Sequence, residues 1–137
     1  MAKMKPVEIA VWDGIVMGGG VGISVHAPIK IATEGSMFAM PEAKIGFFTD
    51  VGAGYFLSRL RNNLGMWLGL TGSRLRGREL VQTGIAHYYV PKKLLPELEQ
   101  AIVQKVAGNS KIEDIRQIIA LFAEKVEPKY ENEETIA

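Results

Sequence analysis

The sequence predicts an α/β fold, because segments typical of strands alternate along its 137 residues with segments typical of helices. The clearest strand is 7–12, in which apolar residues occupy every second position before a glycine run begins. The clearest helix lies near the C-terminus, where apolar residues recur at helical spacing from Ile112 to Val126. Hydrophobic residues make up 47% of the chain and charged residues 23%, which is typical of an ordinary globular protein of about one domain.

The other elements are predicted in chain order from apolar spacing and from turn-forming residues. A short helix follows the glycine run and stops before Pro28, and strands follow at 29–33 and 37–40. A longer helix is expected to begin near Pro96, because proline favours the first turn of a helix, and to end near Val106. Between them the sequence predicts short helices at 52–61, 64–70 and 77–83 and a strand at 86–90.

Composition and charge exclude several classes of function. The chain has no cysteine, which excludes thiol catalysis and cysteine-ligated zinc sites. No apolar run approaches the roughly 20 residues that span a bilayer, so no membrane partner is expected. The net charge of +1 gives no reason to expect nucleic acid as a partner. Residues 59–93 carry seven basic groups and one acid, which favours either a phosphorylated ligand or, more simply, a solvated face.

A glycine run, Met17-Gly18-Gly19-Gly20-Val21-Gly22, follows the first strand. It matches neither the dinucleotide-binding pattern, whose third glycine is absent, nor a phosphate loop, whose Lys-Ser/Thr ending is absent. Glycine lets the backbone approach a ligand closely, and free N–H groups at a helix start suit an acyl oxyanion. The alternative is tight packing of a helix start on a strand, and the glycines alone do not distinguish the two interpretations.

Two carboxylates, Glu42 and Asp50, lie in an apolar stretch further along the chain. Carboxylates in such surroundings are costly unless they are paired or functional, and partial desolvation would make either one a useful base. The alternative for Asp50 is that it caps the helix expected from Gly52, since aspartate favours that position.

The hydroxyl and imidazole groups are weaker candidates. The segment 22–26 has a superficial likeness to a nucleophile elbow, but the spacing of Ser24 and His26 places their side chains on different helix faces. His26 and His87 are the only histidines, and a two-histidine metal site is less expected than isolated structural or surface histidines.

The glycine run and the carboxylate segments together resemble the enoyl-CoA hydratase/isomerase (crotonase) superfamily, and most closely its 3-hydroxyisobutyryl-CoA hydrolase branch. The likeness covers about residues 5–105 and combines the glycine run with Pro-Glu and Asp-Val-Gly at a specific spacing. The matching stretches are 13–22, 38–42 and 45–52, with further landmarks at 70–72 and 84–87. The resemblance implies a spiral of ββα turns with C-terminal helices, of which this chain is expected to hold a part.

The resemblance points to three positions at which a carboxylate can stand, and which of them carry one indicates the branch. Hydratases of the superfamily carry one glutamate two residues after the triple glycine and another in the Pro-Glu segment. Here Gly22 stands at the first position and Glu42 at the second, while Asp50 stands where the hydrolases have aspartate and hydratases usually have glycine. A hydratase or isomerase is therefore disfavoured. Thr49 and Ala53 depart from the usual proline and glycine of the hydrolases, and the loop could tolerate both.

The resemblance implies hydrolysis of an acyl-CoA thioester, with 3-hydroxyisobutyryl-CoA of valine breakdown as the expected substrate. Coenzyme A is then part of the substrate, and no metal or redox cofactor is expected. The backbone N–H of Gly19 would hold the thioester oxygen together with a second N–H group. Glu42 would attack the acyl carbon or activate water, and Asp50 would position the substrate hydroxyl or assist proton transfer. Members of this branch act in mitochondria, which suggests that compartment.

The resemblance also divides the chain into 1–107, the later turns of a crotonase-like domain, and 108–137, a C-terminal amphipathic helix and acidic tail. The family's upstream half, with the other oxyanion donor, is expected to lie outside this chain, so weak activity or none is predicted for the chain alone. The rival hypothesis is an inactive isoform that serves as an assembly or interaction module. Exposed strand edges and apolar surface would then favour self-association as a homo-oligomer.

Overall fold

The computed structural model of the protein describes residues 6–106 and 111–127. Within them the strands are β1 (Ile9–Trp12), β2 (Ile15–Val16), β3 (Ile29–Ala32), β4 (Met37–Phe38), β5 (Leu75–Arg76) and β6 (Tyr88–Tyr89). The helices are α1 (Gly19–Ser24), α2 (Ala53–Leu57), α3 (Leu64–Thr71), α4 (Glu79–Gln82), α5 (Leu95–Lys105) and α6 (Ile112–Phe122), with 3₁₀ helices at Pro41–Ile45 and Lys92–Leu94. This alternation of strands and helices confirms the predicted α/β class.

The strands form two small sheets. In the first, β3 lies between β1 and β6 and is parallel to both, with Val11 opposite Ile31 and Ile31 opposite Tyr88. In the second, β4 lies between β2, to which it is parallel, and β5, to which it is antiparallel. Isoleucine suits β3 because its branched side chain packs well on a pleated surface, and Ile29 and Ile31 are both fully buried.

Two apolar clusters join the sheets to the helices. One draws on both sheets and on α1 to α4, and it includes the stacked rings of Trp12 and Phe38, whose centroids lie 6.1 Å apart. The other packs Ile29 and Ile31 of β3 against α5 and α6. The apolar face predicted for α6 is the face that the structure buries, through Ile115, Ile118 and Ile119. None of the helices within 6–106 and 111–127 has the length and hydropathy that crossing a membrane requires.

One helix end and two short strands depart from the prediction. The helix expected at 52–61 ends at Leu57, and Asn62 and Asn63 beyond it take left-handed φ values of 53° and 54°, through which an α-helix does not continue. The sequence also did not predict β2 and β5. Each has only two residues, which is too short to show an alternating pattern.

The C-terminal helix is shorter than its apolar pattern predicts. α6 ends at Phe122, and Ala123 turns extended with ψ of 138°. The Glu124 N–H then donates to the Tyr89 carbonyl at 2.9 Å, so Val126 follows a strand-like bridge rather than a helix. The domain boundary predicted between 107 and 108 and the acidic tail from 128 lie outside the described residues.

Candidate active site

Neighbouring parallel strands bring two of the candidate groups to one sheet edge. β2 and β4 pair with Val16 opposite Phe38, and the Ala39 N–H extends the pairing by donating to the Val16 carbonyl at 3.3 Å. The carboxyl ends of parallel strands lie at the same edge of a sheet. The chain therefore leaves β2 toward Gly19 and leaves β4 toward Glu42 on the same side.

Glu42 lies in the 3₁₀ helix Pro41–Ile45 and is only 9% exposed. Both ends of this turn are fixed, because Met40 before it is fully buried and Gly46 after it takes a φ of 74°, which favours glycine. Among the described residues no group donates a hydrogen bond to the buried Oε2 of Glu42. A buried carboxylate oxygen without a hydrogen bond is costly, as is expected where a bound molecule completes the site.

Gly19 begins α1, directly after the turn at Gly18, whose φ of 52° and ψ of −124° require glycine. The next three N–H groups donate to the carbonyls of Met17 and Gly18 at 3.1–3.2 Å, whereas the described residues supply no acceptor for the Gly19 N–H. A Cβ atom added at Gly18, Gly19 or Gly20 would meet nothing within 4 Å. Tight packing therefore does not account for these three glycines, and the role of the Gly19 N–H as a donor to the substrate stays a prediction.

Asp50 is exposed, and its Oδ1 accepts the Val51 N–H at 2.7 Å. Its own carbonyl accepts the Ala53 N–H at 2.9 Å. The residue that caps α2 is Gly52, with φ of 75°, and no side chain makes a capping hydrogen bond there. The alternative interpretation of Asp50 as the helix cap is therefore wrong.

A close contact links α1 to the loop that carries Asp50. A Cβ atom at Gly22 would lie 2.8 Å from the Cβ of Val51, so the fold leaves room at this position only for glycine. Val51 itself has φ of 52°, which is a genuine outlier for a β-branched residue and costs about 1–3 kcal/mol. Backbone strain at this point therefore coincides with the loop of Asp50, whose carboxylate accepts the Val51 N–H.

Of the remaining sequence candidates, Ser24 has a structural role. The indole N–H of Trp12 donates to Oγ of Ser24 at 2.9 Å, and this hydroxyl donates to the Gly20 carbonyl at 2.5 Å, which ties α1 to β1. His26 and His87 line the same cleft, at the amino ends of β3 and β6. In the described part of the chain, no three side chains of the types that bind metals are grouped to hold an ion.

Two features of the site were missed by the sequence analysis. Phe47 and Phe48 lie between the two carboxylates in the chain and stack with centroids 4.5 Å apart, although they are 51% and 72% exposed. Adjacent phenylalanines in a glycine-rich loop were the available signal for this pair. The contact of Val51 with Gly22 had no such signal, because valine rarely takes a left-handed φ.

The sequence is similar to known proteins. A family model described as enoyl-CoA hydratase/isomerase matches residues 1–137. The mitochondrial 3-hydroxyisobutyryl-CoA hydrolase of Gallus gallus is 54% identical over 99 residues, which are 72% of this chain and 26% of that protein. The small ribosomal subunit protein mS47 of Schizosaccharomyces pombe is 47% identical over 120 residues, which are 88% of this chain and 27% of that protein.

A solved structure shares the fold. The crystal structure of a carnitinyl-CoA dehydratase from Mycobacterium thermoresistibile matches with a TM-score of 0.75 and 34% identity, covering 88% of this chain and 33% of that chain. The predicted resemblance and the predicted partial spiral are both confirmed by these matches. The chain spans between 26% and 33% of the length of the three proteins named here.

Proposed function

The chain belongs to the enoyl-CoA hydratase/isomerase family, and on that premise we propose that its site takes part in the hydrolysis of an acyl-CoA thioester. The observation that carries the proposal is the pairing of β2 with β4, which directs Gly19 and the buried Glu42 to one sheet edge. The proposed substrate is 3-hydroxyisobutyryl-CoA, in support of which a relative at 54% identity is named for that hydrolase.

The contact between Gly22 and Val51 supports hydrolysis over hydration. The resemblance places the first of the two hydratase glutamates at position 22. Any side chain there would meet the Cβ of Val51 at 2.8 Å, and no rotation of either side chain moves a Cβ atom. The fold therefore resists a carboxylate at this position, and Asp50 is the second acid that the proposal uses.

In the proposed net reaction, one water molecule is consumed, the C–S bond of the thioester breaks, the acyl group leaves as a carboxylic acid, and coenzyme A leaves as a thiol after taking up a proton. The thioester oxygen accepts the Gly19 N–H, for which the described residues have no other acceptor. Glu42 either attacks the carbonyl carbon itself, to be released by water afterwards, or takes a proton from the attacking water. Its unbonded Oε2 suits both roles. Asp50 positions the substrate hydroxyl or assists the proton transfer.

The proposal also covers the surface that binds the acyl chain, the cofactors and the cellular compartment. The exposed rings of Phe47 and Phe48 offer an apolar wall for the acyl chain beside the carboxylates. No metal or redox cofactor is proposed, and coenzyme A enters as part of the substrate. We place the activity in valine breakdown in mitochondria, in line with the name of the Gallus gallus relative.

The second oxyanion donor and much of the coenzyme A surface are proposed to come from outside this chain, which spans 26% of that hydrolase. Removing one oxyanion-hole donor typically lowers kcat by about 10²–10³-fold. Weak activity or none is therefore expected from the chain alone.

The test is release of coenzyme A from 3-hydroxyisobutyryl-CoA by this chain and by a form extended upstream. We expect the extended form to be at least about 100-fold more active, and Glu42→Gln to abolish its activity without lowering its thermal stability. Glu97→Gln, which changes an exposed glutamate on α5, is the matched control and should leave the rate unchanged. An inactive extended form would overturn the hydrolase proposal, and equal rates in both forms would overturn the need for the second donor. Hydration of crotonyl-CoA would assign a hydratase instead.

A second candidate function is a structural role in an assembly. The likeness to the small ribosomal subunit protein mS47, at 47% identity over 120 residues, favours it, as does apolar surface at Ile15, Ile45 and Leu70, each more than 70% exposed. Self-association or binding to a larger particle would cover such surface. Light scattering tests the self-association, and a clean monomer at high concentration would count against it.

A further inference from the structure

A cleft lined by basic side chains opens at the amino ends of β3 and β6. Its volume is about 460 Å³, and the basic side chains that line it are His26, Lys30, Arg59 and His87. No Asp or Glu is among the described residues that line it. Glu42, by contrast, follows the carboxyl end of β4 in the other sheet.

The hydrogen bonds of His87 determine which ring nitrogen carries the proton. The backbone N–H of Lys30 donates to Nδ1 at 3.0 Å, and the His87 N–H donates back to the Lys30 carbonyl at 2.9 Å. A nitrogen that accepts a hydrogen bond has no proton of its own, so the neutral ring carries its proton on Nε2. Burial, with the charges of Lys30 and Arg116, lowers the pKa of His87 to about 4, and the ring is therefore neutral near pH 7.

Two donors then meet in the cleft without an acceptor between them. Nε2 of His87 lies 3.4 Å from Nζ of Lys30, and neither an imidazole N–H nor an ammonium can accept from the other. The other contact of the ammonium is the Ala27 carbonyl at 3.5 Å, and the ion pairs of the described residues do not include Lys30. Burial also lowers the pKa of this lysine. A half-buried charge with a converging N–H group is satisfied by an anion that accepts from both.

We propose that this cleft binds a phosphate group, with Nζ of Lys30 and Nε2–H of His87 as its donors. Arg59 adds a guanidinium at the wall of the cleft, held 3.6 Å above the Tyr55 ring while its Nη1 donates to the Tyr55 carbonyl at 2.6 Å. Its other N–H groups are left for a ligand. The volume far exceeds that of one phosphate ion, so the cleft accommodates a phosphate ester as well as free phosphate. The proposal does not depend on the hydrolase function.

The test is titration of the full chain with inorganic phosphate at pH 7 by calorimetry, with sodium chloride at matched ionic strength as the reference. We expect saturable binding that Lys30→Met weakens at least tenfold. Lys93→Met removes the same charge from an exposed lysine that does not line the cleft, and it should change the affinity less than twofold. Without phosphate, Lys30→Met should unfold at the same or a higher temperature than the wild type, because it removes a half-buried charge that has no carboxylate partner.

Each result bears on the proposal. Absence of saturation, or equal weakening by Lys30→Met and Lys93→Met, would overturn it, because attraction to general positive charge would then explain the binding. Titration with coenzyme A identifies the source of the phosphate. Tighter binding than inorganic phosphate, lost in Lys30→Met, assigns a phosphate ester, and equal binding of the two assigns the free ion. A downfield shift of the His87 Nε2–H signal on phosphate addition would support the assigned donor, and an unchanged signal would remove His87 from the site.

Discussion

Replacing Gly22 with alanine probes the contact that joins α1 to the loop of Asp50. The added Cβ would lie 2.8 Å from the Cβ and 3.1 Å from the Cγ1 of Val51. Because both Cβ atoms are fixed to the backbone, the helix or the loop has to move, and overpacking of this kind typically costs about 1–3 kcal/mol. Alanine also favours a helix over glycine by about 1 kcal/mol, which offsets part of that cost.

Gly20→Ala is the matched control, because Gly20 lies in the same helix and a Cβ there meets nothing within 4 Å. Both substitutions replace a glycine of the same helix with alanine, so most of the difference between them measures the clash. We expect Gly22→Ala to be less stable than Gly20→Ala by about 1–3 kcal/mol in urea unfolding, or by about 4–12 °C in Tm. Adding Val51→Gly should remove the difference, because it deletes the opposing Cβ and relieves the left-handed φ of 52°.

Two results would refute this reasoning. Equal stability of Gly22→Ala and Gly20→Ala would mean that the loop moves without cost and that Val51 does not exclude a side chain at position 22. Failure of Val51→Gly to rescue Gly22→Ala would place the clash elsewhere. Either result would also remove the packing argument for hydrolysis over hydration.

Three further predictions follow from single contacts. The pKa of His87 is lowered from 6.5 to about 4 in the folded chain, so the unfolded chain takes up the proton first and stability falls as pH drops through this window. Because the ring is partly exposed, we expect the free energy of unfolding to fall by about 1–2 kcal/mol between the two pH values. Urea unfolding curves measured at several pH values test this, and His87→Asn should not show the fall. The same dependence on pH in the wild type and the variant would contradict the prediction. Gly65→Ala would place a Cβ 1.8 Å from the Leu57 carbonyl oxygen and should cost at least about 3 kcal/mol or prevent folding, whereas Gly54→Ala, with open space, should fold normally by circular dichroism. Asn63→Gly relieves a φ of 54° and should raise stability by up to about 1 kcal/mol; a lower Tm would show that the asparagine side chain contributes more than its backbone costs.

The helix α6 was predicted well, because its apolar residues recur at the helix period and the structure buries that face. The existence of strand β1 was also predicted, but not the face that it buries: the structure buries Ala10 and Trp12 and leaves Val11 47% exposed. The ends of elements were less predictable, because they depend on single backbone conformations. α2 ends at Leu57 before two left-handed asparagines, and α6 ends where Glu124 pairs with Tyr89 from a distant part of the chain.

The candidate site was predictable as a set of residues but not as an arrangement. The apolar surroundings of Glu42 and Asp50 singled out these two carboxylates, the family resemblance added Gly19, and the roles of all three stay predictions. Their placement depends on β2, which was not predicted because two residues show no period. The position of Asp50 depends on the contact between Gly22 and Val51, and sequence patterns carry no information about a valine with a left-handed φ.

The paired hydrogen bonds between Lys30 and His87 also make one amide a local reporter of folding. They join the start of β3 to the start of β6, although the two residues lie 57 positions apart in the sequence. The chain between them forms a long loop, and this loop has to close before β6 can pair with β3 in the first sheet. The Lys30 amide hydrogen is held by a ring nitrogen, and that nitrogen stops accepting once it binds a proton. Hydrogen–deuterium exchange at this single amide should therefore be slow near neutral pH and gain protection late in refolding. It should lose that protection in acid before the amides of β1 do.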